Sequence, residues 1–171
     1  MVAALELYLD TDATRRIRVL WDALESEGVQ SMRSLLEQRH RPHVSLAVAP
    51  RFDPDRVAEA LAGTVVAPPL RLEFPHAGQF VGRVLWLGVA PTEELLAHHR
   101  LVHDRLAAAG VPLAEHYRPG RWVPHCTLSM RVPNTLMAAA VRRCLEVLPL
   151  TATVVGAALA DHARGISRPL P

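Results

Sequence analysis

Two short segments hold the side chains that can do chemistry. They are Pro42-His43-Val44-Ser45-Leu46 and Pro124-His125-Cys126-Thr127-Leu128, a shared P-H-x-[S/T]-L pattern with its histidines 82 residues apart. By composition alone, two chance copies would arise about once in ten thousand such chains. Both segments read as β-strands, in which residues i and i+2 share a face. His43 therefore shares a face with Ser45, and His125 with Thr127, while Val44, Leu46, Cys126 and Leu128 turn towards a core. Two such strands facing across a cleft place two imidazoles and two hydroxyls around one small volume. That set suits phosphoryl chemistry without a metal. A neutral imidazole takes a proton from an attacking water or hydroxyl, and a protonated one gives a proton to the leaving oxygen. The hydroxyls hydrogen-bond the non-bridging phosphate oxygens. A 2′,3′-cyclic phosphate fits, because opening it needs one proton removed and one delivered on opposite sides of phosphorus. Either histidine can be the base and the other the acid.

Other residues are candidates for the same site. Arg41 and Arg131 share strand parity with the histidines of their own motifs and can hold phosphate or an RNA backbone, although a solvated surface is the commoner place for Arg. Tyr117 and Trp122 lie just before the second motif and can stack a base, with core packing expected of Trp122. Phe80 and His76 flank an expected turn and can edge the cleft. His98, His99 and His103 include an i, i+4 pair on a helix, a spacing seen in metal sites. No Glu completes H-E-x-x-H, so a solvated helix face is expected there instead. Cys126 alternates away from His125 and reads as a buried thiol rather than a nucleophile. Arg15, Arg16 and Arg18 read as the solvated side of the first helix.

The elements that must position these groups follow from pattern. VAALELYL alternates and reads as a strand, then Thr11 or Asp12 caps a helix with Ile17, Leu20, Trp21 and Leu24 inward, ending near Gly28. A helical turn is expected over 31–38, a strand after Pro42, and a short helix from Asp53–Pro54 to about Ala62 with Val57 and Leu61 inward. Strands are expected at 69–75 and 80–90 around a turn at His76-Ala77-Gly78. Pro91–Thr92 opens a long helix with Leu95, Val102 and Leu106 buried, ending at Gly110. The second motif strand, a helix from Asn134 with Met137, Val141 and Leu148 inward, a strand over TATVVGAALA and a tail or edge strand complete the chain. Several neighbouring strands are joined too tightly for parallel crossovers, which favours α/β with largely antiparallel sheets.

Composition sets the outer bounds. The sequence has 171 residues, about half of them apolar, which suits one domain with a sizeable core. All 19 basic residues are Arg and the net charge is +2, too small for a general nucleic-acid coat but compatible with a small anion or a short RNA end. MVAALELYLD lacks a basic region before its apolar stretch, so no secretory signal and no membrane association are expected. Two cysteines make no disulfide framework, and a reducing, cytoplasmic setting is the default. No cofactor and no obligate protein partner are called for.

The paired motifs resemble those of the two-histidine (2H) phosphoesterase superfamily. RPHVSLAV and WVPHCTL are similar to the bacterial 2′-5′ RNA ligase-like, cyclic phosphodiesterase branch. The first helix, the motif spacing, the FVGRVLWLGV strand and the long helix before the second motif also match, so the resemblance covers most of the chain. It implies a single bilobal domain over 1–171, with two pseudo-symmetric α/β lobes and antiparallel sheets lining a central cleft. One lobe would carry the motif at 43–46 and the other that at 125–128. It implies metal-independent opening of 2′,3′-cyclic phosphates, on RNA ends or nucleotides, to 2′-phosphates, with reversible 2′-5′ joining in some members. The functional positions carry over to His43, Ser45, His125 and Thr127. Ser45 stands where many members have Thr and keeps the hydroxyl; the chain has no Lys, so any Lys contact in a relative must be Arg here. A module that binds an RNA end or a nucleotide with little turnover is the alternative; the intact set of four favours the enzyme.

Overall fold

The structure, a computed structural model, describes residues 3–35 and 40–171. In chain order its elements are β1 (Ala3–Leu9), α1 (Thr11–Ser26), β2 (His43–Ala49), α2 (Pro54–Ala60), β3 (Arg71–Phe74), β4 (His76–Phe80), β5 (Val84–Gly88), α3 (Glu93–Ala108), β6 (His125–Ser129), α4 (Met137–Leu145), β7 (Leu150–Asp161) and β8 (Ile166–Leu170). Single 3₁₀ turns at Glu115–Tyr117 and Asn134–Leu136 precede β6 and α4. The fold is α/β with antiparallel sheets, as the tight connections require.

One sheet has the order β2-β1-β7-β3, and β8 also pairs with β7. The 12 residues of β7 pair with β1 along Val154–Ala160 on one edge, and on the other edge with β3 along Leu150–Thr153 and β8 along Ala157–Asp161. The second sheet has the order β4-β5-β6. The first motif opens β2 and the second opens β6, so each motif lies on an edge strand of a different sheet, and the two strands are in contact. Leu5, Leu7 and Leu9 of β1 enter the core with Ile17, Leu20, Trp21 and Leu24 of α1. The other face of β1 (Ala4, Glu6 and Tyr8) looks the opposite way, as strand alternation demands. α1 packs on β7 and α4, and α3 packs on β2 and α2.

Several local expectations are corrected. The cap of α1 is Asp10, not Thr11 or Asp12: Oδ1 accepts from the Ala13 N–H at 3.0 Å, while Oδ2 accepts from the Thr153 N–H at 2.6 Å. His76-Ala77-Gly78 is not a turn but the body of β4, and the turn falls at residues 81–83 instead. There Gly82 and Arg83 have φ of 92° and 72°. β3 leaves for the other sheet, so the two expected strands are not a hairpin pair. In α4 the fully buried residues are Ala140 and Cys144, with Met137 and Val141 only partly covered, and Leu148 lies past the helix end. Of the turn expected over 31–38, residues 36–38 lie outside the described residues. Arg16 is not free in solvent: its Nη2 donates to the Val147 carbonyl at 2.8 Å. Among the described residues no helix is long and apolar enough to cross a membrane.

Candidate active site

Each motif histidine is the first residue of its strand because the preceding proline has no N–H to give a neighbouring strand. The residue before the proline is held extended. Its carbonyl then meets the histidine ring: His43 Nδ1 lies 2.7 Å from the Arg41 oxygen, and His125 Nδ1 lies 2.6 Å from the Val123 oxygen. A carbonyl only accepts, so each Nδ1 carries the proton and donates it. Both rings are thereby locked in one tautomer with Nε2 left for the cleft. The proline of the repeated pattern thus has a physical task in both copies.

His43, Ser45, His125 and Thr127 all line one cavity of about 810 Å³. Tyr117 and Phe80 line it too, as the sequence suggests, and so does Trp122. Phe80 meets the His125 ring edge-on at 4.9 Å between centroids, and Trp86 backs it at 5.9 Å. Trp86 in turn lies across Gly78, where a Cβ would come within 2.2 Å of the indole. Burial, followed by the charges of His43 and His116, holds the His125 imidazole below the usual histidine value despite its bond to Val123. Burial pushes the Tyr117 phenol up to about 12. Trp122 Nε1 donates to the Ser45 carbonyl at 3.1 Å, and its ring stacks on His99 at 4.0 Å. It is therefore both a wall of the cavity and a core residue.

Arg41 and Arg131 do not line this cavity. The Arg41 guanidinium sits over the Tyr8 ring, 4.3 Å from its centroid, on the wall of a neighbouring pocket of about 450 Å³. His162 lines both spaces. His76 is on β4 but outside the cavity lining, stacked edge-on to Trp86. Cys126 is buried, and burial raises its thiol to about 12, so it is no nucleophile.

The helical histidines are not a solvated face: His98, His99 and His103 are all buried. Each ring donates through Nε2 to a carbonyl, of Val66 at 2.9 Å, Tyr117 at 2.9 Å and Leu46 at 3.3 Å respectively. Among the described residues no three metal-ligating side chains converge. These histidines instead tie α3 to three backbone segments, one of them, through His103, the first motif strand.

Sequence reasoning missed five polar or charged residues of the cavity wall, Glu6, His40, His116, Arg121 and His162. Only Glu6 left a legible signal, a lone acid in an otherwise apolar strand. Its carboxylate is 2% exposed, 3.1 Å from His162 Nε2 and 3.5 Å from His43 Nε2.

A family model described as the 2′-5′ RNA ligase superfamily matches residues 14–166. The chain belongs to that superfamily, the two-histidine phosphoesterases. No curated protein matches it in sequence. Among solved structures it is similar to LigT of E. coli without ligand, at 20% identity and a TM-score of 0.64, over 99% of this chain and 94% of that one. E. coli LigT complexed with 3′-AMP gives 19% identity and 0.64 over the same shares. A protein described only as a phosphoesterase gives 21% and 0.62, again over 99% and 94%. At such identities the likeness is one of fold. In this 2′-5′ RNA ligase superfamily member the two motifs repeat not only as residues but as the same ring-to-carbonyl bond.

Proposed function

We propose that this protein is a metal-independent phosphoesterase that opens 2′,3′-cyclic phosphates, on RNA ends or nucleotides, to 2′-phosphates. The observation that carries the reading is the pair of locked imidazoles, each leaving Nε2 to one cavity that also holds Ser45 and Thr127. His125, kept neutral by burial, is the base that takes a proton from water as the water oxygen bonds to phosphorus. His43 is the acid that protonates O3′ as the P–O3′ bond breaks. Ser45 and Thr127 hydrogen-bond the non-bridging oxygens, which gain charge on the way to the transition state. Phe80, Tyr117 and Trp122 offer aromatic surface for a base, and Arg121 is a cation on the same wall. E. coli LigT has been crystallised with 3′-AMP, a nucleotide of the size this cavity takes.

We read the chain as one bilobal unit with a motif from each sheet, which joins RNA ends reversibly through a 2′-5′ bond with the same groups when a 5′-hydroxyl replaces water as the attacking group. Arg41 and Arg131 lie outside the cavity and are reserved for the flanks of a longer RNA. Two buried free thiols, Cys126 and Cys144, suit a reducing compartment, and we place the protein in the cytoplasm. The test is incubation with 2′,3′-cyclic mononucleotides in EDTA and identification of the product by phosphorus NMR. A 2′-phosphate is expected. A 3′-phosphate, or activity abolished by the chelator, contradicts the proposal, and tight binding without turnover would favour the binding-module alternative.

A further inference from the structure

Two-histidine chemistry has no use for a buried carboxylate, yet Glu6 supplies one at the reacting nitrogen. Glu6 stands on the cleft face of β1, directly opposite Ser45 in the register with β2, and is almost fully buried. Burying an unpaired carboxylate costs several kcal/mol, whereas an apolar residue would fill the same strand position at no such cost. The carboxylate is paired on one oxygen. Oε1 accepts from His162 Nε2 at 3.1 Å, and the same oxygen lies 3.5 Å from His43 Nε2, outside hydrogen-bond range but within charge contact. Burial pushes the Glu6 carboxyl up, but His43 and the bond from His162 outweigh it, and the group ends below its ordinary value. The bond to Glu6 moves His162 up, against its partial burial. The anion is thus fixed beside one motif histidine, and among the described residues no carboxylate pairs with His125.

We propose that Glu6 is a positioning residue, clamped by His162, whose carboxylate keeps a proton on Nε2 of His43 and so makes His43 the donor to the leaving oxygen. This rests on the function proposed above and assigns the asymmetry within it. An anion at 3.5 Å favours the imidazolium form of a histidine. Among the described residues the other groups around His43 do not replace it. From the segment before β2, His40 lies 6.3 Å away and is held neutral, its imidazole lowered to about 4 by burial and then by His162 and His43. Arg41 gives His43 its carbonyl and turns its guanidinium onto Tyr8 of β1, a phenol that burial and Glu6 keep protonated. Asp161, at the end of β7, acts on His162. Across the cavity stand His125, His116 and Tyr117, none of them an anion near neutral pH. When His43 gives its proton to O3′, the neutral ring is left beside the carboxylate and recovers a proton from solvent, so the cycle adds one water and returns both histidines to their starting forms.

Glu6→Gln keeps the shape and an oxygen for His162 while removing the charge. On a 2′,3′-cyclic mononucleotide, kcat of E6Q should fall about tenfold more at pH 8 than at pH 6, with KM little changed and Glu6→Asp recovering part of the loss. A loss equal at both pH values would mark Glu6 as merely structural and overturn the proposal. Ring NMR of the wild-type protein supplies a readout that needs neither turnover nor a folded variant. His43 should keep its Nε2 proton to a higher pH than His125, and the reverse order would overturn the proposal. No shift of the His43 titration in E6Q contradicts the proposal. Absence of turnover in every assay would count against the proposed function, while the NMR order decides the role of Glu6 separately.

Discussion

At the scale of single residues, the site is an exercise in fixing protons. In each motif the carbonyl before the proline accepts a hydrogen bond from Nδ1 of the following histidine, which leaves Nε2 to the cavity in both copies. Ser45 and Thr127 sit two residues on, on the same strand faces. Replacing either by Ala removes one donor to phosphate oxygens and should lower kcat by about 10²-fold with little change in KM, as steady-state kinetics on a cyclic mononucleotide will show. Unchanged kcat in both variants would remove the hydroxyls from the mechanism. These four positions were legible in the sequence because a period of two fixes which residues share a face and because the pattern occurs twice. Glu6 was only half legible: an acid in a strand usually marks a solvated face, and nothing local says that His162, 156 residues away, will cover it. Arg41 had the right parity but the wrong neighbour, since the Tyr8 ring captures its guanidinium.

At the scale of elements, the edge strands carry the two motifs and other elements satisfy their edges. Ser45 and Leu46 of β2 have their carbonyls taken up by Trp122 and His103, so the motif strand is tied down on its unpaired side. His99 does the same for the Tyr117 carbonyl. The three helical histidines looked solvated in sequence because polar residues on a helix usually are; the acceptors that bury them lie up to 57 residues away and leave no local trace. Asp10 was passed over as a cap for a similar reason. It closes β1, caps α1 and also takes the Thr153 N–H of β7. Burial raises its carboxyl, but the backbone donors more than offset this and hold it below the usual value. Asp10→Ala should therefore destabilise the fold by about 1–2 kcal/mol, the cost of a lost N-cap. Urea unfolding at pH 7 measures it, and a change within error would deny Asp10 that role.

At the scale of the whole molecule, two antiparallel sheets meet at β2 and β6, and the cavity between the motifs is a property of that meeting rather than of either sheet. The alternation of strands and helices in the sequence announced the class. The division of one β7 edge between β3 and β8, opposite β1, could not be read from it, because pairing depends on which strand fills which edge. Behind the cavity the buried histidines make stability depend on pH. His98, His99 and His103 lie below the ordinary histidine value because of burial, His99 at about 4. The unfolded chain then binds more protons than the folded one below about pH 6.5, so their contribution is complete above that pH and is lost as pH falls towards 4. His99→Gln keeps a donor for the Tyr117 carbonyl but does not titrate, and should flatten the fall in unfolding free energy between pH 6.5 and 4. An unchanged slope would show that His99 is not its source. The claim on which the rest depends is that His43 and His125 act as one acid–base pair. It is tested most directly by the rates of 2′,3′-cyclic mononucleotide hydrolysis in EDTA for wild type, His43→Ala, His125→Ala and the double variant, each first shown to be folded. We predict a loss of about 10²–10⁴-fold in each single variant, with the double variant little worse than either, as expected of groups that work as a unit. A near-wild-type rate in either single variant would contradict the account.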